Sequence, residues 1–151
     1  MITNNFHIEE VTVTSHRNVN NSLPKDLLSN VYYVAEQMEK VRALLGNVPI
    51  SVTSWYRSPT LNKAIGGTSK SQHLTAQAVD FICPKFGTPY EVCQKLNTHR
   101  STLMFDQLIY EQTWIHISFA IPPMVPRLEV LTYTPEKKYV QGLKFNSIRG
   151  K

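Results

Sequence analysis

Two histidines and an aspartate have the residue types of a metal site: His73 in SKSQH, Asp80 in QAVD and His116 in WIHIS. Imidazole and carboxylate are zinc donors that bind at roughly 2.0–2.2 Å, and a set of three leaves a fourth position for water. That open position separates a catalytic zinc from a structural one. If the three side chains converge, the chemistry they support is metal-assisted hydrolysis. Such chemistry also needs a proton acceptor. Glu111 is the candidate, with Asp106 in reserve. Arg57 follows an alternating stretch and precedes Pro59, where its guanidinium can grip a carboxylate by a two-pronged contact.

The elements that must position these groups follow from local pattern. His73 and Asp80 are seven apart, too far for adjacent helical turns but suited to a loop feeding back along a strand. Residues 76–82 read as that strand, with Ala78 small beside Asp80 on one face. A hairpin is expected from 105–110 and 114–120. Its alternation puts Trp114, His116 and Ser118 on one face and Ile115, Ile117 and Phe119 on the other. With Gln112 and Thr113 as the turn, Glu111 pairs with Trp114 and Ile109 with His116. Glu111 is then a diagonal neighbour of His116, roughly 7–8 Å away, with space between them for a metal and water. The turn lacks Asn-Gly, so turn chemistry does not itself fix this register.

Elsewhere, Leu27, Val31, Val34, Met38, Val41 and Leu45 recur at helical spacing, with Ser22 as cap, Pro24 in the first turn and Gly46 at the C-terminal stop. Residues 49–56 alternate as a strand. Leu61 to Ile65 form a short helical turn broken by Gly66-Gly67, and Thr68 to Ser71 an exposed loop. Thr88 to Asn97 read as a helix. Val11 to Thr14 read as a short strand and Val130 to Tyr133 as another, with Pro122, Pro123 and Pro126 ending the hairpin. Helices and strands mix without regular βαβ alternation, so the expected class is α+β.

The 151 residues suggest one domain, 1–151, with a basic C-terminal extension from about 135. Arg127, Lys137, Lys138, Lys144, Arg149 and Lys151 concentrate there, either as a solvated tail or as a binding patch. The net charge of +5 and pI near 9.3 fit an anionic partner. No nucleic-acid-binding signature is present, and no apolar run is long enough to cross a membrane. MITNNFHIEE has no secretory pattern, so the expectation is synthesis in a bacterial cytoplasm. Cys83 and Cys93 match neither a zinc knuckle nor a disulfide framework and read as reduced thiols. His7, His16 and His99 read as surface residues.

The stretch SWYRSPTLNKAIGGTSKSQHLTAQAVDF resembles the zinc D-alanyl-D-alanine carboxypeptidase family, peptidase family M15, with its Y-R-S, N-x-x-x-G-G and S-x-H-x-x-G-x-A-x-D elements. FDQLIYEQTWIHISF resembles the closing D-Q-L-I-x-E and W-x-H-x-S elements. The likeness runs from about Phe6 to about Thr134, and the motifs are specific in combination. It implies an α+β fold: a small antiparallel sheet and flanking helices around a zinc cleft, of the hedgehog and D,D-peptidase type. It implies Zn2+ on His73, Asp80 and His116, Glu111 as acid/base, and Arg57 binding the transition state or a carboxylate. Ser71, Trp114 and Ser118 join Arg57 as expected substrate contacts. The implied partner is a peptidoglycan stem peptide, met by a monomer without nucleic acid or membrane insertion. Compact members resemble phage lysis enzymes that reach the wall after release.

Two positions depart from the pattern. Ala76 stands where the family has Gly, which requires negative φ or tolerated strain. Some relatives carry the acid three residues before the last His, which here is Thr113. The alternative reading is a non-catalytic module of the same fold that binds zinc and cell wall or a partner. A basic phage structural or nucleic-acid protein would rest on charge alone. Carboxypeptidase, D,D-endopeptidase and L-alanyl-D-glutamate endopeptidase activities all remain open at this level.

Overall fold

The computed structural model describes residues 1–145, so Arg149 and Lys151 lie outside the described residues. Among the described residues there are five α-helices: α1 (Ile8–Val11), α2 (Leu28–Leu44), α3 (Pro59–Ala64), α4 (Pro89–Thr98) and α5 (Arg100–Leu103). Six strands form one sheet: β1 (Ser51–Ser54), β2 (Ala78–Ile82), β3 (Gln107–Tyr110), β4 (Ile115–Ser118), β5 (Glu129–Tyr133) and β6 (Tyr139–Gln141). Their order is β1-β2-β4-β3-β5-β6. The class is α+β, as the mixed pattern implies.

Apolar periodicity and end chemistry account for the two longer helices. α2 buries Val31, Val34, Ala35, Met38 and Val41 on one face. Each aliphatic side chain so buried contributes about 1.5–3 kcal/mol. The helix stops where Gly46 takes φ 84°, with Gly46 N–H donating to Ala43 O and Asn47 N–H to Arg42 O. That pair of bonds is a Schellman ending, which a left-handed glycine permits. Ser22 is not the cap; a 3-10 turn over Lys25–Leu27 precedes the helix instead. α4 starts on a reciprocal box: Thr88 N–H donates to Glu91 Oε1 at 2.8 Å, and Glu91 N–H donates to Thr88 Oγ1 at 3.2 Å. Trp55, Phe81, Phe105, Phe119, Leu108, Ile115 and Ile117 join the α2 stripe in one core.

The hairpin register agrees with the alternation. Ile109 pairs with His116, and Glu111 N–H donates to Trp114 O at 3.1 Å. Two expectations need correction. Val11 ends a helical turn rather than starting a strand, because His7 N–H donates to Glu10 Oε1 at 2.7 Å and closes the first turn. β5 runs parallel to β3, so the sheet is not wholly antiparallel. The proline-rich segment after β4 carries the chain back, and β5 then enters on the free edge of β3. Within the stretch from about 135, β6 pairs with β5.

Candidate metal centre and its cavity

One sheet face carries the candidate residues in rows. Asp80 and His116 are direct cross-strand partners on β2 and β4, and Ile109 on β3 and Leu131 on β5 continue the row. Directly opposed residues hold their Cβ atoms about 4.5–5.5 Å apart, so this register alone brings carboxylate and imidazole together. One step along, Glu111, Tyr133 and Tyr139 succeed one another, with Tyr133 and Tyr139 paired in register. All these side chains line a cavity of about 720 Å³, together with Arg57, Lys70, Ser71, Gln72, His73, Trp114, Arg127 and Lys137.

His73 arrives from outside the sheet, on a 3-10 turn spanning Gln72–Thr75. Ser71 caps that turn by accepting from His73 N–H at 3.2 Å. Trp55 holds it from both ends. Its carbonyl lies 2.6 Å from His73 Nδ1, and its indole Nε1 donates to Ala76 O at 2.9 Å. Only a protonated Nδ1 can donate to a carbonyl, so the contact fixes the tautomer and leaves the Nε2 lone pair facing the site. Ala76 closes the turn at φ 60°, ψ 22°, so the strain its alanine implies is borne. A left-handed non-glycine residue costs roughly 1–2 kcal/mol, and here the packed turn holds it in place.

The donor set fits a divalent metal. His73 Nε2 lies 3.2 Å and His116 Nδ1 2.9 Å from the same atom, Asp80 Oδ1. Four ligands at zinc distances are separated by roughly 3.3–3.5 Å along the edges of their tetrahedron. The observed spacings are slightly tighter than that. His73 Nε2 is buried and has no hydrogen-bond partner, and its lone pair faces a carboxylate oxygen. Two electron-rich atoms so placed call for a proton or cation between them. His116 Nε2 is likewise buried without a partner, while its side chain is 12% exposed at the cavity floor. His73, Asp80 and His116 offer ligand atoms all within 4.8 Å of one another.

Protonation states match that use. Burial pushes the His73 imidazole below its usual value, toward the neutral form a ligand needs. Burial alone would raise the Asp80 carboxyl, but the adjoining His73 and His116 imidazoles outweigh it and hold Asp80 ionised. Burial raises Glu111 to about 7; Asp80 adds to the rise, while His116, Arg57 and a hydrogen bond from Tyr139 oppose it. A carboxyl poised near neutrality beside a metal cluster is suited to taking and returning a proton.

Arg57 lies at the rim with NH2 3.4 Å from Asp80 Oδ2, NH1 3.3 Å from Asn62 Oδ1 and Nε 3.3 Å from Ser54 Oγ. Asn62 also donates to Thr68 O at 2.9 Å, and a Cβ at Gly67 would collide with its carboxamide. The Asn-to-Gly-Gly spacing therefore builds the loop beside Arg57. Ser71 and Trp114 line the cavity. Ser118 does not. It shares the face of His116, but it lies on an interior strand, is fully buried and is not part of the lining. Asp106 is not placed to act as the base, because Arg127 and Gln72 saturate it. Both cysteines are buried free thiols, and burial raises their pKa values.

Trp55 and Tyr139 were not singled out from sequence. The two tryptophan contacts are invisible in a linear pattern. Tyr139 carried a weak cue, an aromatic pair with Tyr133 spaced to suit a short hairpin. No helix among the described residues is long and apolar enough to cross a membrane. Residues 4–118 match a family model described as Peptidase M15. No curated protein matches the chain.

Proposed function

The chain belongs to the peptidase M15 family, and from that premise we propose that it is a zinc-dependent peptidase that cuts an amide bond in peptidoglycan stem peptides. The observation that carries the reading is the convergence of His73 Nε2, Asp80 Oδ1 and His116 Nδ1 on the floor of a cavity that Glu111 also lines. His73, Asp80 and His116 would hold the zinc. Zinc bound there supplies Lewis acidity, which makes water acidic enough to ionise near neutral pH and polarises a carbonyl.

This chain's own residues do the rest. Glu111 accepts a proton from the attacking water on its carboxylate and delivers it to the departing amide nitrogen. Arg57, held by Ser54, Asn62 and Asp80, presents a fixed positive charge where the carbonyl oxygen gains negative charge. Trp55 keeps His73 in one tautomer. Lys70 and Lys137 give the cavity wall a positive cast that suits a peptide bearing free carboxylates.

Mass spectrometry of purified peptidoglycan incubated with zinc-loaded protein tests this, with Glu111→Gln in parallel. New stem fragments from the wild type alone are expected, and their masses assign the bond as a terminal D-alanine, a cross-link or an L-alanyl-D-glutamate linkage. Intact peptidoglycan with both proteins, despite bound zinc, would instead favour a wall-binding module.

A further inference from the structure

The β5–β6 hairpin lies beyond residues 4–118, which the family model matches, yet it supplies Leu131, Tyr133, Lys137 and Tyr139 to the cavity. Its attachment is specific. Gly142 N–H donates to Val130 O at 2.8 Å, Thr132 Oγ1 donates to Gly142 O at 2.7 Å, and Lys144 N–H donates to Thr132 Oγ1 at 2.9 Å. Thr132 is almost fully buried, so these bonds form a clasp inside the hairpin rather than a surface contact. At the turn, Thr134 N–H donates to Lys138 O at 2.7 Å and Lys137 N–H to Thr134 O at 2.8 Å. β6 is thereby held in one register against β5, which pairs Tyr139 with Tyr133.

That register aims one phenol at Glu111. The Tyr133 and Tyr139 rings lie 4.8 Å apart at a 50° tilt, and Tyr139 lines the cavity beside Glu111, where its phenol and the Glu111 carboxylate interact. A second tie runs alongside: Gln112 Nε2 donates to Tyr133 O at 2.8 Å. Two consecutive residues of the β3–β4 turn are thus anchored to the same hairpin, one through its side chain to Tyr139 and one to the Tyr133 backbone. A glutamate at a hairpin bend otherwise has several rotamers, and a proton acceptor gains from being held in one.

We propose that Tyr139 is a positioning residue for Glu111, so that the β5–β6 hairpin completes the catalytic site from beyond the residues that the family model matches. Tyr139 acts through Glu111: its phenol holds the Glu111 carboxylate in the orientation that takes the proton. The proposal rests on the peptidase reading and on Glu111 as its base.

The test compares wild type, Tyr139→Phe, Glu111→Ala and the double variant, all as the full chain. Tyr139→Phe keeps the ring contact with Tyr133 and removes only the hydroxyl. With zinc loaded, its kcat is expected to fall about tenfold with KM within about twofold, because the group aligned acts in the transition state rather than in binding. In metal-free protein, Tyr139→Phe should lower Tm in the wild-type background and leave it unchanged in Glu111→Ala, the mark of a direct coupling. A Tyr139→Phe kcat within about twofold of wild type would overturn the positioning role, as would an equal fall in Tm in both backgrounds. Wild-type turnover by Glu111→Ala would overturn the base assignment itself, and the role of Tyr139 with it.

Discussion

Two buried aspartates on neighbouring parts of the sheet, each 5% exposed, have opposite surroundings. Asp106 accepts from Arg127 backbone N at 2.8 Å, from Arg127 NH2 at 2.7 Å and Nε at 3.1 Å, and from Gln72 Nε2 at 3.0 Å. Every direction around that carboxylate meets a donor, and its charge is matched in place. Asp80 meets two imidazole nitrogens on a single oxygen, with Arg57 more distant at 3.4 Å. Around it, His73 Nε2 and His116 Nε2 are buried without partners. A saturated carboxylate fastens the chain, whereas an unsatisfied cluster on a cavity floor is arranged for something the protein must bind. Residue type and burial are the same in both; the partners distinguish them.

The largest effect expected from this contrast is at Asp80. Asp80→Ala should abolish zinc binding and reduce peptidase turnover by about 10³-fold or more, measured by metal analysis and fragment release. Glu111→Gln should retain zinc and lose about 10²–10⁴-fold in turnover. Asp106→Ala should do the reverse, leaving zinc bound while lowering stability by about 2–3 kcal/mol in denaturant unfolding. That figure is at the low end for a broken buried pair because the Arg127 side chain is 54% exposed and can rehydrate. Loss of zinc in Asp106→Ala would mean that the two aspartates form one unit.

The pH dependence sharpens the contrast further. The Asp106 carboxyl is held below its usual value: burial opposes this, but the Arg127 hydrogen bonds outweigh it. Its contribution is therefore present above the unfolded value of 3.8 and lost as pH falls below it. Glu111 has the opposite sign. Its folded value, about 7, lies above the unfolded 4.5, so ionisation costs stability as pH rises through that window. In metal-free protein, Glu111→Gln should gain about 2 kcal/mol over wild type across the window, read from urea unfolding at each pH. An unchanged difference would place Glu111 in a solvated setting. The smallest effect is at Ala76. Ala76→Gly relieves the left-handed strain but loses a buried methyl, so stability should change by less than about 1 kcal/mol.

What was legible in the sequence was local. The Ile109–His116 register followed from strand alternation, although the turn has no glycine and Gln112 takes φ 70° in its place. The pairing of Asp80 with His116 was not legible, because nothing local says that β2 lies beside β4. The α2 stripe and its Gly46 stop were readable because helix faces and C-caps are set within a few residues. Long-range placement was hidden. The parallel seating of β5 on β3 depends on where a proline-rich connection returns, and β6 is a three-residue strand whose pairing is with β5. Ser118 was assigned by face, but face does not determine exposure on an interior strand. Val11 was read from its alternation, whereas the His7–Glu10 contact decides the turn. The left-handed Ala76 is a case in which the fold overrides local preference, at the turn that delivers His73.

The most direct test is zinc stoichiometry by elemental analysis, after dialysis, of wild type, Asp80→Ala and Asp106→Ala. The account expects about one zinc per chain in wild type and Asp106→Ala and none in Asp80→Ala. A metal-free wild type, or an Asp80→Ala protein that keeps its zinc, would contradict the assignment of His73, Asp80 and His116 as the metal centre.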